Sequence, residues 1–409
     1  MRIARLLKSR AAGIGRVCVL LIGLSAPLFA QRTYTVSTSV DVIGGFESYP
    51  QTSGLPVQPT EAPVDPFYGV LPGITLESRT ARSEFSLNYG FGFTHYATEL
   101  PRDTRTHNVH ASISRRLSSR WTMDISEWFS QTNDLFSYYA LLGAELVDDG
   151  LVFYFSPVAT NQSVRTNNLS ASFNHDLSAR STLSFNGGWT LGGYGNAGNL
   201  VGLSDQNSFS GGVEYSRRIS ERLSWNLGYS GQYFTYDKFG SAVSNAVHFG
   251  LESVIAKGTK VSVSVGPSQV KNLNVDIDNT NFQASGSVTK EIKGNSFHFT
   301  LAQGNATSSG VGTISSTRSA SAGVARTFGR RVSVFADASV FEGLGIIGNP
   351  FNTKGTSITG NVGIAIARNV SVHTGVQFQK YTQPSPYAFT QKRVFASVRY
   401  TQPNLFRSR

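Results

Sequence analysis

Residues 207–236, NSFSGGVEYSRRISERLSWNLGYSGQYFTY, alternate with a period of two. Phe209, Gly211, Val213 and Tyr215 form one row, and Ser208, Ser210, Gly212, Glu214 and Ser216 the other. Residues 217–221, RRISE, interrupt the pattern. It then resumes with Leu223, Trp225, Leu227, Tyr229 and Tyr233 against Ser224, Asn226, Gly228, Ser230 and Gln232. Two alternating runs around a short polar turn make a β-hairpin. One face is apolar and aromatic, the other small and polar. Runs of about ten residues with these two faces suit a bilayer-spanning barrel, apolar side to lipid and polar side to a lumen.

The rest of the chain repeats this unit. Expected strands cover 33–43, 71–79, 83–96, 108–114, 121–130, 165–174 and 182–192, then the hairpin above. Further strands cover 245–255, 260–265, 282–288, 297–301, 319–326, 332–341, 358–366, 370–378 and 392–400. The reading is therefore all-β: a transmembrane antiparallel up-and-down β-barrel of about 18 strands, or about 16 if the N-terminal segments sit inside it. Residues 44–70 hold Pro50, Pro56, Pro59, Pro63 and Pro66 and read as a long loop. Closure answers an energetic demand, because an open sheet would leave unpaired backbone groups in hydrocarbon at several kcal/mol each.

Composition supports this class. Only 15% of the 409 residues are charged, against about 25% in ordinary soluble chains. No apolar run after residue 30 approaches the roughly 20 residues of a membrane helix. Residues 1–30 read as a signal peptide, with Arg2, Arg5, Lys8, Arg10 and Arg16 before the short apolar core 17–24, and 31–409 as a single barrel domain. The only cysteine, Cys18, falls in that segment, so the barrel needs no disulfide. Removing five of the 36 Lys+Arg and none of the 25 acids takes the formal charge from +11 to +6. The basic total is thus no sign of nucleic-acid binding.

Short turns and long connections differ in charge. The short set holds Arg115, Arg116, Arg120, Arg180, Arg217, Arg218, Arg222 and further Lys and Arg. The long set holds Glu47, Glu61, Asp65, Asp148, Asp149, Asp278 and Glu342 among others, with Arg102, Lys238 and Lys354 as its cations. Short turns are periplasmic and long loops extracellular in such barrels. That puts a basic ring at the inner leaflet and acids outside, where cations bridge them to lipopolysaccharide. The longest late connection, 131–162, carries Asp134, Phe136, Tyr138, Tyr139, Glu145, Asp148 and Asp149. Its apolar surface calls for packing, either inside the barrel as a constriction or over its mouth.

The polar rows send Glu84, His110, Asp124, Glu214, His248, Glu252, His298, Asp337, His373, Arg393 and Arg399 toward the lumen. Charges of both signs there either select solutes or satisfy one another. The histidines sit on separate strands without metal-ligand spacing, so no metal or other cofactor is implied. Nothing fixes a nucleophile beside a base, and the chain does not read as an enzyme. Gly187-Gly188 and Gly192-Gly193 lack the strand-to-helix setting of a phosphate cradle and read as close packing and bends.

Val394, Ala396, Val398 and Tyr400 face away from Phe395, Ser397 and Arg399. This closing strand resembles the terminal signal that the barrel-assembly machinery reads, with residues 401–409 extending past Tyr400. LSSRWT at 117–122, LSARST at 177–182 and ISERLS at 219–224 resemble turns of acidobacterial-type outer-membrane β-barrel proteins of the porin-like class, as does YGFGFTHY at 89–96. The resemblance implies a barrel in outer-membrane lipid and lipopolysaccharide; the strand number and the small, polar inner rows point to passive diffusion of small polar solutes through it. A surface barrel with a loop-closed lumen, linked to exopolysaccharide export, is the alternative.

Overall fold

The computed structural model describes residues 33–48, 64–97, 103–133, 164–194, 205–237, 240–274, 278–308, 313–329, 331–347, 352–382 and 389–408. The strands are β1 (Thr33–Ser48), β2 (Val64–Arg79), β3 (Ser83–Tyr96), β4 (Thr104–Arg116), β5 (Trp121–Thr132) and β6 (Val164–Ser178). Next come β7 (Ser181–Tyr194), β8 (Gln206–Arg218), β9 (Leu223–Tyr236), β10 (Gly240–Ala256), β11 (Thr259–Asn272) and β12 (Asp278–Ile292). The last are β13 (Asn295–Ser308), β14 (Thr313–Phe328), β15 (Val332–Ile347), β16 (Asn352–Ala367), β17 (Val370–Thr382) and β18 (Phe389–Ser408). Each strand pairs antiparallel with its chain neighbours, and β1 pairs with both β2 and β18. The protein is an all-β, closed, 18-stranded antiparallel barrel.

Serines build the recurrent turns. In the turn after β4, Ser118 Oγ accepts from the N–H groups of Arg120 and Trp121, at 3.2 and 3.1 Å. Ser178 and Ser220 repeat the bond to Arg180 and Arg222 at 3.2 Å. Side-chain oxygens that accept from the backbone two residues on favour a turn over continued strand. Each such arginine also offers its carbonyl sideways: Asp176, Arg218 and Val254 donate to Arg120, Arg180 and Arg222, each at 2.8 Å. Neighbouring hairpins are thereby tied at the rim.

The expected loop at 44–70 is shorter. Residues 44–48 extend β1 and residues 64–70 open β2, which contains Pro66 and Pro72. A proline removes one ladder donor, so it disturbs pairing on one side only. Pro72 keeps its place opposite Val40 of β1, while the β2–β3 ladder is interrupted between Val70 and Gly73. Pro267 does the same in β11: it stays opposite Phe282, and the β10–β11 ladder skips it. The C-terminal end also differs. Residues past Tyr400 continue β18 to Ser408 along β1, with a register shift where Pro403 falls.

The outer row is apolar and exposed: Val42, Phe46, Phe209, Leu227, Val376 and Val398 are among its members. Toward the turns it ends in aromatics. Trp121 stacks on His175 at 4.3 Å, and Trp225 contacts Tyr215 at 5.4 Å and Phe249 at 6.1 Å. A second level lies near the long connections, where Tyr89 Oη is 3.1 Å from His107 Nδ1 and Trp189 Nε1 donates to Asn207 at 2.6 Å. Rings with one polar atom suit the headgroup level. From Trp225 to Tyr233 the strand covers about 26 Å of contour, or about 20 Å of height at a tilt near 40°. Glu127 and Asn167 depart from the pattern. Their register is outward, yet both are buried, and Asn167 donates to Glu127 at 3.1 Å.

Candidate functional site: the lumen wall

The register puts Glu84, His110, Asp124, Glu214, His248, Glu252, His298, Asp337, His373, Arg393 and Arg399 on the row opposite the exposed apolar one, hence on the inner wall. They do not converge on one point. Most are bound to a neighbour on the same wall. Glu84 pairs with Arg79 across the first turn. Glu252 pairs with Lys260 at 3.0 Å. Arg399 grips Asp41 with two nitrogens, at 2.8 to 3.0 Å. This fork-to-carboxylate geometry is stronger than a single contact.

Two histidines reach carboxylates two strands away. His248 Nε2 on β10 lies 3.1 Å from Glu214 Oε2 on β8, and His298 Nε2 on β13 lies 3.0 Å from Asp337 Oδ2 on β15. In each case the intervening strand presents a glycine. A Cβ on Gly228 would sit 2.4 Å from the His248 ring, and one on Gly323 2.1 Å from that of His298. The missing side chain is the shelf on which the imidazole lies. Replacing Gly323 by valine should therefore expel the His298 ring and break its pair with Asp337. The check is the His298 ring resonances, which should move in Gly323→Val and stay put for His248.

His373 is held differently. Its Nε2 is 2.9 Å from Ser371 Oγ, a contact that resembles the start of a nucleophile pair. The ring lies against Gly363 with Ser333 beside it. A carboxylate orienting the imidazole, which a triad requires, is therefore not what that side of the ring meets. Among the described residues no group of three or more His, Cys, Asp or Glu could hold a metal ion.

Glu47 and Asp65, expected in outer loops, instead lie on the inner wall in β1 and β2 and are buried. Glu47 is the centre of a cluster at the seam where the first and last strands meet. Arg393, its register partner on β18, brings Nε within 3.3 Å of Oε2, without the alignment of a hydrogen bond. Tyr96 Oη donates to Glu47 at 3.0 Å, and Gln391 at 2.9 Å. The Arg393 guanidinium also donates to Tyr96 and lies 4.4 Å over the ring of Phe67. The carboxylate exchanges water for a cation and neutral donors that include Tyr96 and Gln391, which is how a buried charge is tolerated. Glu342 and Lys354, also expected in loops, pair at 2.9 Å on the outer face of β15 and β16.

Exposure divides the inner wall into two zones. Toward the turns Glu84, His110, Ser114 and Glu252 are open to solvent. Cavities of about 950 and 710 Å³ lie there. The first is lined by Arg120, Arg180, Arg218, Arg222, Glu214 and Glu252 among others, the second by Asp124, His248 and many Ser, Asn and Gly. Toward the long connections the inner residues are buried, and several are apolar: Phe67, Tyr96, Phe234, Tyr236, Val270 and Phe395. The expected uniformly small, polar lumen is thus corrected. A wall residue facing bulk water keeps part of its surface, and these do not. The candidate constriction residues, Asp134, Phe136, Tyr138, Tyr139, Glu145, Asp148 and Asp149, lie outside the described residues.

No protein-family model and no curated protein matches the chain. Solved structures similar to it include OpdQ of Pseudomonas aeruginosa, with 10% identity and a TM-score of 0.47 over 91% of this chain and 98% of that one. The outer membrane protein OpdK of the same organism has 11% identity and a TM-score of 0.46, covering 90% and 99%. The FrpB iron transporter from Neisseria meningitidis has 12% identity and a TM-score of 0.45, covering 85% of this chain and 63% of the transporter. Identities this low leave the chemistry of the wall to be read from this chain's own residues.

Proposed function

We propose that the protein is an outer-membrane, porin-like channel for passive diffusion of small hydrophilic solutes. The observation that carries this reading is the two-faced closed wall: exposed aliphatic and aromatic side chains outside, hydroxyls, amides and charges around turn-side cavities inside. A closed sheet satisfies its backbone in hydrocarbon. Barrels of about 16 strands or more leave room for water where those of about eight are packed solid. Residues 1–30 serve as the signal peptide and 31–409 as the barrel, the short turns face the periplasm, and β18 is the strand offered to the barrel-assembly machinery. The inner-wall groups that line the turn-side cavities, among them Asp124, Glu214, His248 and Glu252, set selectivity, and the reaction is transport without chemistry or cofactor.

The buried inner wall near the long connections favours a second reading, a surface barrel with a closed lumen. Planar-bilayer recording separates the two. A channel gives discrete conductance steps after insertion of the purified protein. Absence of current at every voltage, with insertion verified, overturns the channel and leaves the surface barrel.

A further inference from the structure

Just beyond the apolar belt, on the side of the long connections, the outward row of β14–β18 becomes cationic. Arg318 on β14, Lys354 on β16, Lys380 on β17 and Lys392 on β18 are all exposed and all in outward register. Glu342 on β15 is the single acid among them, between Arg318 and Lys354, and it is bonded to Lys354. Strands lie about 4.8 Å apart, so the patch spans about 20 Å of circumference. The belt below it on the same strands holds Val340, Ile358, Val376 and Val394, each about half exposed. Lys392 follows Val394 directly on the outer face, and Lys380 follows Phe378. Elsewhere on this rim the described outward cations fall on non-adjacent strands, Arg105 on β4, Arg165 on β6 and Lys271 on β11, the last opposite Asp278, with neutral residues such as Ser48, Asn207, Thr235 and Ser241 at other outward positions.

Cations immediately above an acyl-facing surface match an amphiphile whose phosphates sit directly on several hydrocarbon chains. We propose that this patch is a docking site for lipopolysaccharide, its phosphorylated diglucosamine head on Arg318, Lys380 and Lys392 and its acyl chains on the aliphatic belt below. The sign is opposite to the acidic, cation-bridged rim expected from the loops: the contact is direct, ammonium or guanidinium to phosphate. The proposal rests on the membrane orientation given above and not on conduction.

The test uses the full mature protein refolded in detergent and in phosphatidylcholine vesicles, with purified lipopolysaccharide as the probe. Its affinity is compared with that of dephosphorylated lipopolysaccharide and of phosphatidylglycerol. The variant is Arg318→Gln/Lys380→Gln/Lys392→Gln, and the control Arg115→Gln/Arg326→Gln removes outward cations at the turn end. Three lost charges should weaken lipopolysaccharide binding by about tenfold or more, with the control unchanged. Dephosphorylated ligand should bind the wild type as weakly as intact ligand binds the variant. Unchanged affinity in the variant overturns the proposal, as does equal affinity for phosphatidylglycerol, which would mark a general anionic-lipid surface. Failure to insert into any vesicle overturns the membrane reading and this proposal together, whereas insertion with unaltered lipopolysaccharide affinity overturns this proposal alone.

Discussion

Replacing Arg393 by methionine is expected to destabilise the barrel by about 3–5 kcal/mol, the range for stranding one member of a buried ion pair. Glu47 is 1% exposed and Arg393 2%. Without the guanidinium, the carboxylate keeps its bonds from Tyr96 and Gln391, but its charge has lost the cation beside it. Phe67 loses the cation over its ring, a smaller contribution of about 0.5–2 kcal/mol. The pair joins β1 to β18, so the damage falls on the seam that closes the sheet. Unfolding by guanidinium in detergent micelles, followed by the mobility difference of folded and unfolded barrel on gels, measures it. Glu47→Gln in the same chain should recover most of the loss, since removing both charges avoids the stranded one. A silent Arg393→Met would mean that Glu47 is not held as a carboxylate by this cation.

How much of this was legible beforehand follows from the range of each signal. Alternation is local: Leu223 to Tyr233 states its two faces within one strand, and the bilayer makes those faces chemically opposite. Strand number and closure follow from counting such runs. The turn phrases are local too, because Ser118, Ser178 and Ser220 bond only two or three residues away. Proline misled where its effect is one-sided. Pro66 suggested a loop, but β2 keeps its pairing with β1 through Pro66 and Pro72, and at Pro72 the loss falls on the ladder with β3. The seam cluster was out of reach, since Glu47 and Gln391 are 344 residues apart in sequence. Glu47 alone looks like any loop acid. The glycine shelves were equally hidden: Gly228 matters through His248 on the next strand and Glu214 on the previous one, and no spacing along the chain announces that.

An arginine placed on the outer face should separate a lipid-facing wall from a merely exposed one. Val376 lies in the middle of β17, outward and 51% exposed, between Gly360 and Val394. In water, exposure of that order makes substitution nearly neutral, within about 0.5 kcal/mol. In a bilayer the same guanidinium must leave water or drag it inward, and Val376→Arg should lose about 2–4 kcal/mol at the midplane. Ser321→Arg is the matched control. It lies on the inner row of β14, among Thr300 and Ser339, where the new charge can extend into the lumen. Reversible unfolding from phospholipid vesicles should therefore show a large loss for Val376→Arg and almost none for Ser321→Arg. Moving the outer substitution to Thr390, beyond Lys392 on β18, should shrink its effect to about 0–1 kcal/mol, because the penalty follows depth in the bilayer. Equal, small effects at all three positions would show that the aliphatic belt does not meet hydrocarbon, and the channel would lose the membrane it is proposed to cross.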